Sequence, residues 1–196
     1  MNLMRLLLAL FIMAMLSFSA SAATENATTG PYMVSFDMNT TLNYTVQAIA
    51  PYAQEFRTAY PLLIETDNNS RAQITIFEYS KLMDSTPDLW QTINAQGLSL
   101  LGLTNITPAT EMTVDGKPAY GLSARDSNNN SRYSANYWLD STDCNCGPVS
   151  VGKINVVIFS AYPLNITASI LDSMHVELIS QSMSGKSLTF APPKTQ

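Results

Sequence analysis

The chain has 196 residues, 46% of them hydrophobic and 13% charged, with a formal net charge of −5. Its length fits one domain with a substantial core. The acidic balance and the singly scattered Lys and Arg exclude non-specific nucleic-acid binding, which draws its affinity from clustered cations. Surface polarity must come largely from Asn, Ser and Thr.

The first residues form a three-part pattern: Arg5, the apolar run Leu6 to Leu16, and the small-x-small ending Ala20-Ser21-Ala22. This is the arrangement of a secretory signal peptide, with cleavage expected after Ala22. The apolar run is too short to span a hydrocarbon core, which takes about 20 residues; left uncleaved, it would act as an N-terminal anchor. Removal of Arg5 makes the chain more acidic still, and no later apolar run has spanning length. The expected organisation is a signal peptide over 1–22, a polar N-terminal segment over 23–30, a single domain over 31–180 and a flexible tail over 181–196.

Period-two alternation then predicts strands. Val34 and Phe36 share a face of the first, and Tyr44 to Ile49 is a second. Leu62 to Ile64 and Ala72-Ile74-Ile76 flank the turn Asp67-Asn68-Asn69-Ser70 and read as a hairpin. The period changes after Thr86-Pro87-Asp88, which offers an N-cap hydroxyl, a first-turn Pro and an acid at the positive helix end. Leu89, Trp90, Ile93, Gly97, Leu100 and Leu101 follow at helical spacing, with Trp90 and Ile93 expected against the sheet and Gly102 as the stop.

Val114-Asp115-Gly116-Lys117 predicts a hairpin with a type I′ turn, since Asp-Gly accepts its positive φ angles. Pro118 belongs at the start or edge of the next strand. Tyr133, Ala135, Tyr137 and Leu139 alternate after the loop Asp126 to Ser131, and Ile154, Val156 and Ile158 alternate up to Ser160. Thr167, Ile170, Leu171 and Met174 return to helical spacing before the extended Val176 and Leu178. The predicted fold class is α+β, a mostly antiparallel sheet covered by two main helices.

This layout resembles the PsbP-like superfamily over residues 30 to 180. The resemblance is carried by Val34-Ser35-Phe36, by Trp90 in the first long helix and by the hairpin Val114 to Tyr120. The strand Val156-Val157-Ile158-Phe159-Ser160-Ala161-Tyr162-Pro163 and the closing Ile170 to Val176 match as well. It implies an α/β/α sandwich and a non-enzymatic accessory or binding role, and it transfers no metal- or partner-binding residue.

Seven Asn-x-Ser/Thr sequons, at Asn26, Asn39, Asn43, Asn68, Asn105, Asn129 and Asn165, exceed what the composition gives by chance. They are candidate glycosylation sites, a modification that needs surface position in an exported protein. Cys144 and Cys146 are the only cysteines and stand two apart in Asp143-Cys144-Asn145-Cys146. Three readings stay open: a disulfide within the turn, an intermolecular bond, or a soft-metal thiolate pair.

His175 is the only histidine, so any Ser-His-Asp or Cys-His arrangement would have to use it. Its place in an alternating stretch turns it away from the apolar set, toward solvent. Asp126, Asn128 and Asn130 imitate the first ligands of a calcium loop, but Ser131 and Tyr137 stand where Gly and a bidentate acid are required. Trp138 is core if a helix covers its face and a binding residue if that face is open.

Taken together, these features point to a secreted or surface-retained, N-glycosylated, non-enzymatic binding domain without a cofactor, acting on a protein or small ligand at the cell exterior. A thiol-redox or metal-handling role for Cys144 and Cys146, or a structural role in a cell envelope, are the alternatives.

Overall fold

The computed structural model describes residues 24–141 and 150–179. The expected signal peptide, Cys144, Cys146 and the expected tail lie outside the described residues. Eleven strands and two helices follow in chain order: β1 Thr24–Thr29, β2 Tyr32–Asp37, β3 Tyr44–Ala48, β4 Tyr52–Gln54, β5 Arg57–Thr66, β6 Arg71–Ser85, α1 Pro87–Leu100, β7 Thr110–Val114, β8 Lys117–Arg125, β9 Ser131–Trp138, β10 Ser150–Ser160, α2 Leu164–Ser173 and β11 His175–Leu178. A three-stranded sheet runs β1-β2-β11, and an eight-stranded sheet runs β3-β5-β6-β10-β9-β8-β7 with β4 also paired to β5. Every pairing is antiparallel.

The fold is therefore β-rich, with 56% of the described residues in strands and 16% in helices, and the expected α+β sheet under two main helices is corrected. So is the α/β/α sandwich that the resemblance implied. The physical reason lies in β1 and β11. The segment Thr-Glu-Asn-Ala-Thr-Thr has no apolar alternation, and only Thr29 in it is buried. It is a strand because β2 supplies backbone partners in register from Thr24↔Asp37 to Thr29↔Tyr32. β11 completes the sheet on the other side of β2, so a second sheet takes the place where a helical layer was expected.

The main core lies between this small sheet and the inner face of the large one. Tyr32, Val34, Phe36 and Val176 meet Leu62, Ile64, Ile74, Ile76, Val156 and Ile158, and Ile166, Ile170 and Leu171 of α2 close the side. Burying each such side chain contributes about 1.5–3 kcal/mol. Two polar contacts lie inside this core: Tyr162 donates its hydroxyl to Ile64 O at 3.1 Å, and the Ser160 and Thr167 hydroxyls meet at 2.7 Å.

Local signals in the sequence hold where they are backbone-determined. Thr86 Oγ1 accepts from Leu89 N at 3.2 Å, capping α1. Gly102 ends it with φ +76°, and Leu103 N reaches back to Leu98 O at 3.1 Å. Asp115 and Gly116 take φ +54° and +66°, as a type I′ turn requires.

Candidate functional site

The other face of the large sheet carries α1, and α1 covers only part of it. Two points hold the helix down. Near its start the Trp90 ring packs on Trp138 of β9, centroids 5.7 Å apart. Near its end Leu98 joins Leu122 and Ala124 of β8 in a small cluster with Phe159 beside it. Trp138 is thus a covered residue, 4% exposed, with its indole N–H donating to Ser85 Oγ at 2.8 Å.

The remaining apolar side of α1 stands clear of the sheet. Ile93, expected in the core beside Trp90, is 50% exposed, and Leu89 and Leu101 are 42% and 65% exposed. The spacing marked one broad apolar face, but the helix is tethered along one edge of it. Between the free edge and the sheet lies a groove of about 1230 Å³, ample for a small-molecule site.

Strand parity builds the floor of the groove. Gln73, Thr75 and Phe77 of β6 alternate with the core residues Ala72, Ile74 and Ile76, and Asn155, Val157 and Phe159 of β10 lie opposite on the same face. One end is aromatic. Phe56 stacks on Tyr79 at 6.1 Å, Tyr79 packs on Trp138 at 5.8 Å, and the Arg57 guanidinium lies 4.2 Å from the Phe77 ring centroid. Such a cation–π contact fixes the guanidinium as it does at other partly desolvated sites.

The other end is basic. Arg132 pairs with Asp126 and donates to Ala161 O at 3.4 Å, while Ala161 N donates to Arg71 O at 2.8 Å. The two arginines thus flank Ala161, and both line the groove. Arg71 makes no side-chain hydrogen bond or ion pair among the described residues; its cross-strand neighbour Glu65 does not line the groove. On β9, between Ser134 and Trp138 on this same face, the Asn136 side chain is buried and neither of its amide atoms has a protein hydrogen-bond partner among the described residues.

No family model, curated protein or solved structure matches the chain. The site must be read from its own residues.

His175 does not enter the groove. Its Nδ1 is 2.7 Å from Asp115 Oδ1, its Nε2 is 4.0 Å from Glu177, and its side chain is 58% exposed. Asp115 also accepts from Val176 N at 3.0 Å and from the Tyr137 hydroxyl at 3.3 Å, so the acid joins the β7–β8 turn to β9 and β11. Among the described residues no serine, threonine or cysteine hydrogen-bonds His175. Burial, with the Asp115 charge and hydrogen bond adding to it, raises the Tyr137 hydroxyl well above its ordinary value.

Asp126 is occupied by its own loop. Its carboxylate accepts from Asn128 N at 2.9 Å, from Asn130 N at 2.8 Å and from Asn130 Nδ2 at 3.1 Å. Burial pushes its carboxyl up, but these bonds and the Arg132 charge outweigh it and hold the group below its ordinary value. Among the described residues no group of three or more His, Cys, Asp or Glu gathers, and no helix is long and apolar enough to cross a membrane.

All seven sequon asparagines are exposed. None lines the groove, whereas Asn26 and Asn43 line a more open, polar hollow of about 670 Å³ between β1 and β3. Sequence reasoning missed the groove itself. Its residues come from β4, β5, β6, β9, β10 and α1 and from the turns between them, and the one local signal was an apolar stripe on α1 wider than the helix buries.

Proposed function

We propose that this chain is a secreted, N-glycosylated, non-enzymatic binding protein of the cell surface or exterior, and that it binds an apolar ligand in the groove beside α1. The observation that carries the reading is that groove: Leu89, Ile93, Leu101, Phe77, Val157 and Phe159 face one open channel, whereas most other large apolar side chains among the described residues are buried. Concave sites with apolar walls and a few polar groups are where small ligands bind.

The sequon pattern supports exterior placement, since all seven asparagines are exposed and none of them lines the groove. Binding rather than catalysis is supported by the place of His175, which is tied to Asp115 at the surface and remote from the groove lining. Export rests on the leader pattern of Arg5, Leu6 to Leu16 and Ala20-Ser21-Ala22.

The chain's two tryptophans, Trp90 and Trp138, pack at a tilt beside the groove's aromatic end and make a built-in reporter. Titration with dodecanol should give a saturable change in tryptophan emission. A response that never saturates, or none, would remove the groove as a binding site. Mass measurement of exported protein before and after enzymatic deglycosylation tests the rest: the expected result starts at Ala23 and loses glycan mass.

A further inference from the structure

We infer that the ligand of this groove is a long single-chain amphiphile with one negative charge, a fatty-acid-like carboxylate, whose head rests on Arg71; this assignment rests on the groove being the binding site. The shape is elongated. From Arg71 to Tyr79 the floor strand β6 runs about 26 Å at a strand's rise per residue, and β10 runs beside it. The walls along that length are Phe77, Val157 and Phe159 below and Leu89, Ile93 and Leu101 above, which suit an extended hydrocarbon chain.

The charge is placed at one end and is close to unity. Arg71 and Arg132 both flank Ala161, but Arg132 is already balanced by Asp126. Arg71 is exposed and has no side-chain partner among the described residues, so one guanidinium fork is left to face an anion. A guanidinium meets a carboxylate by two parallel hydrogen bonds, a geometry that a single uncharged hydroxyl cannot reproduce. The far end carries Arg57 and Asp84, one of each sign, with Arg57 engaged by Tyr79 Oη at 3.3 Å and by the Phe77 ring. Among the described residues that line the groove, only Arg71 thus presents a positive charge with no side-chain partner, its cross-strand neighbour Glu65 lying outside the lining, within a protein that is negative overall. That local inversion of sign favours an anionic head there and opposes a cationic one.

The experiment titrates dodecanoate, methyl dodecanoate and dodecyltrimethylammonium, all below their micelle concentrations, against the wild-type chain and the Arg71→Gln and Arg71→Lys variants, reading tryptophan emission and, independently, native mass. The wild type should bind dodecanoate about tenfold or more tighter than the ester, in line with one charge-assisted pair, and the cationic amphiphile more weakly than either. Arg71→Gln should erase the carboxylate preference, bringing the affinity for dodecanoate to that for the ester, and Arg71→Lys should restore part of it. Equal affinity of the wild type for acid and ester would overturn the anionic head and leave the groove reading standing. A preference that survives in Arg71→Gln would overturn the assignment to Arg71. Binding of none of the three amphiphiles would overturn both this inference and the groove as a site. Thermal unfolding of the variants, expected within about 2 °C of wild type for an exposed arginine, ensures that lost binding is not lost folding.

Discussion

The Trp90 and Trp138 rings lie 5.7 Å apart while Ile93, one turn along the same helix, is half exposed. That relationship sets how α1 sits on the sheet and therefore where the groove opens. Trp90→Ala should cost about 3–5 kcal/mol, the usual loss for a buried aromatic. Ile93→Ala should cost less than about 0.5 kcal/mol, because its side chain leaves no cavity. Urea unfolding of both variants checks the pair. Equal losses would mean that the helix is seated on its whole apolar face and the groove is closed.

The Asp115 carboxylate is a second junction, since it accepts from Val176 N, meets His175 and receives the Tyr137 hydroxyl. Asp115→Asn keeps the positive φ and the size but weakens three contacts, for an expected loss of about 1–2 kcal/mol. His175→Ala should cost less than about 1 kcal/mol, since the ring is mostly in water. A double-mutant cycle between positions 115 and 175 measures the coupling directly, and a loss for His175→Ala as large as that for Asp115→Asn would make the histidine the anchor instead.

How much of this was legible in the sequence depends on whether each feature is local. The Asp115-Gly116 turn, the Thr86 cap and the Gly102 stop were readable because each is decided by the φ preference or hydroxyl of one or two residues. The alternation of Ala72, Ile74 and Ile76 was readable because one face is buried. β1 was not, because its six residues hold their place through backbone bonds to β2 and bury only Thr29. The groove was not, because Arg57, Arg71 and Arg132 are far apart in the chain and come to one face only through the register of β5, β6, β10 and β9.

Alkaline pH should destabilise the fold through its buried tyrosines. Burial first, then Asp115, raises Tyr137; burial and Glu78 raise Tyr32; burial and Glu25 push Tyr44 up to about 12, from an ordinary 10.0. A raised folded value means stability is fully present below pH 10 and is lost as pH rises through the folded values. Tyr137→Phe should flatten that loss in unfolding curves taken from pH 9 upward. An unchanged slope would show that Tyr137 does not carry it.

At the acid end the Asp126 loop behaves in the opposite sense. Its folded carboxyl lies below the ordinary 3.8, so its contribution is present above that value and is lost as pH falls through the folded one. Asp126→Asn should lower stability at pH 7 but converge with wild type as pH falls through the folded value. Parallel curves across that range would contradict the loop's role.

The most direct measurement of the central claim uses Gly97. It lies on α1 and lines the groove, and no heavy atom beyond its chain neighbours and its own helical turn comes within 4 Å of where a Cβ would stand. A side chain at this position therefore starts in open space on the groove wall, and in Gly97→Phe a better helix former than glycine should hold or raise stability by about 0.5 kcal/mol while its ring narrows the channel. The account predicts a variant that unfolds no earlier than wild type in urea and whose tryptophan emission no longer responds to dodecanol or dodecanoate at concentrations that saturate the wild type. Wild-type binding by a fully folded Gly97→Phe protein would contradict it.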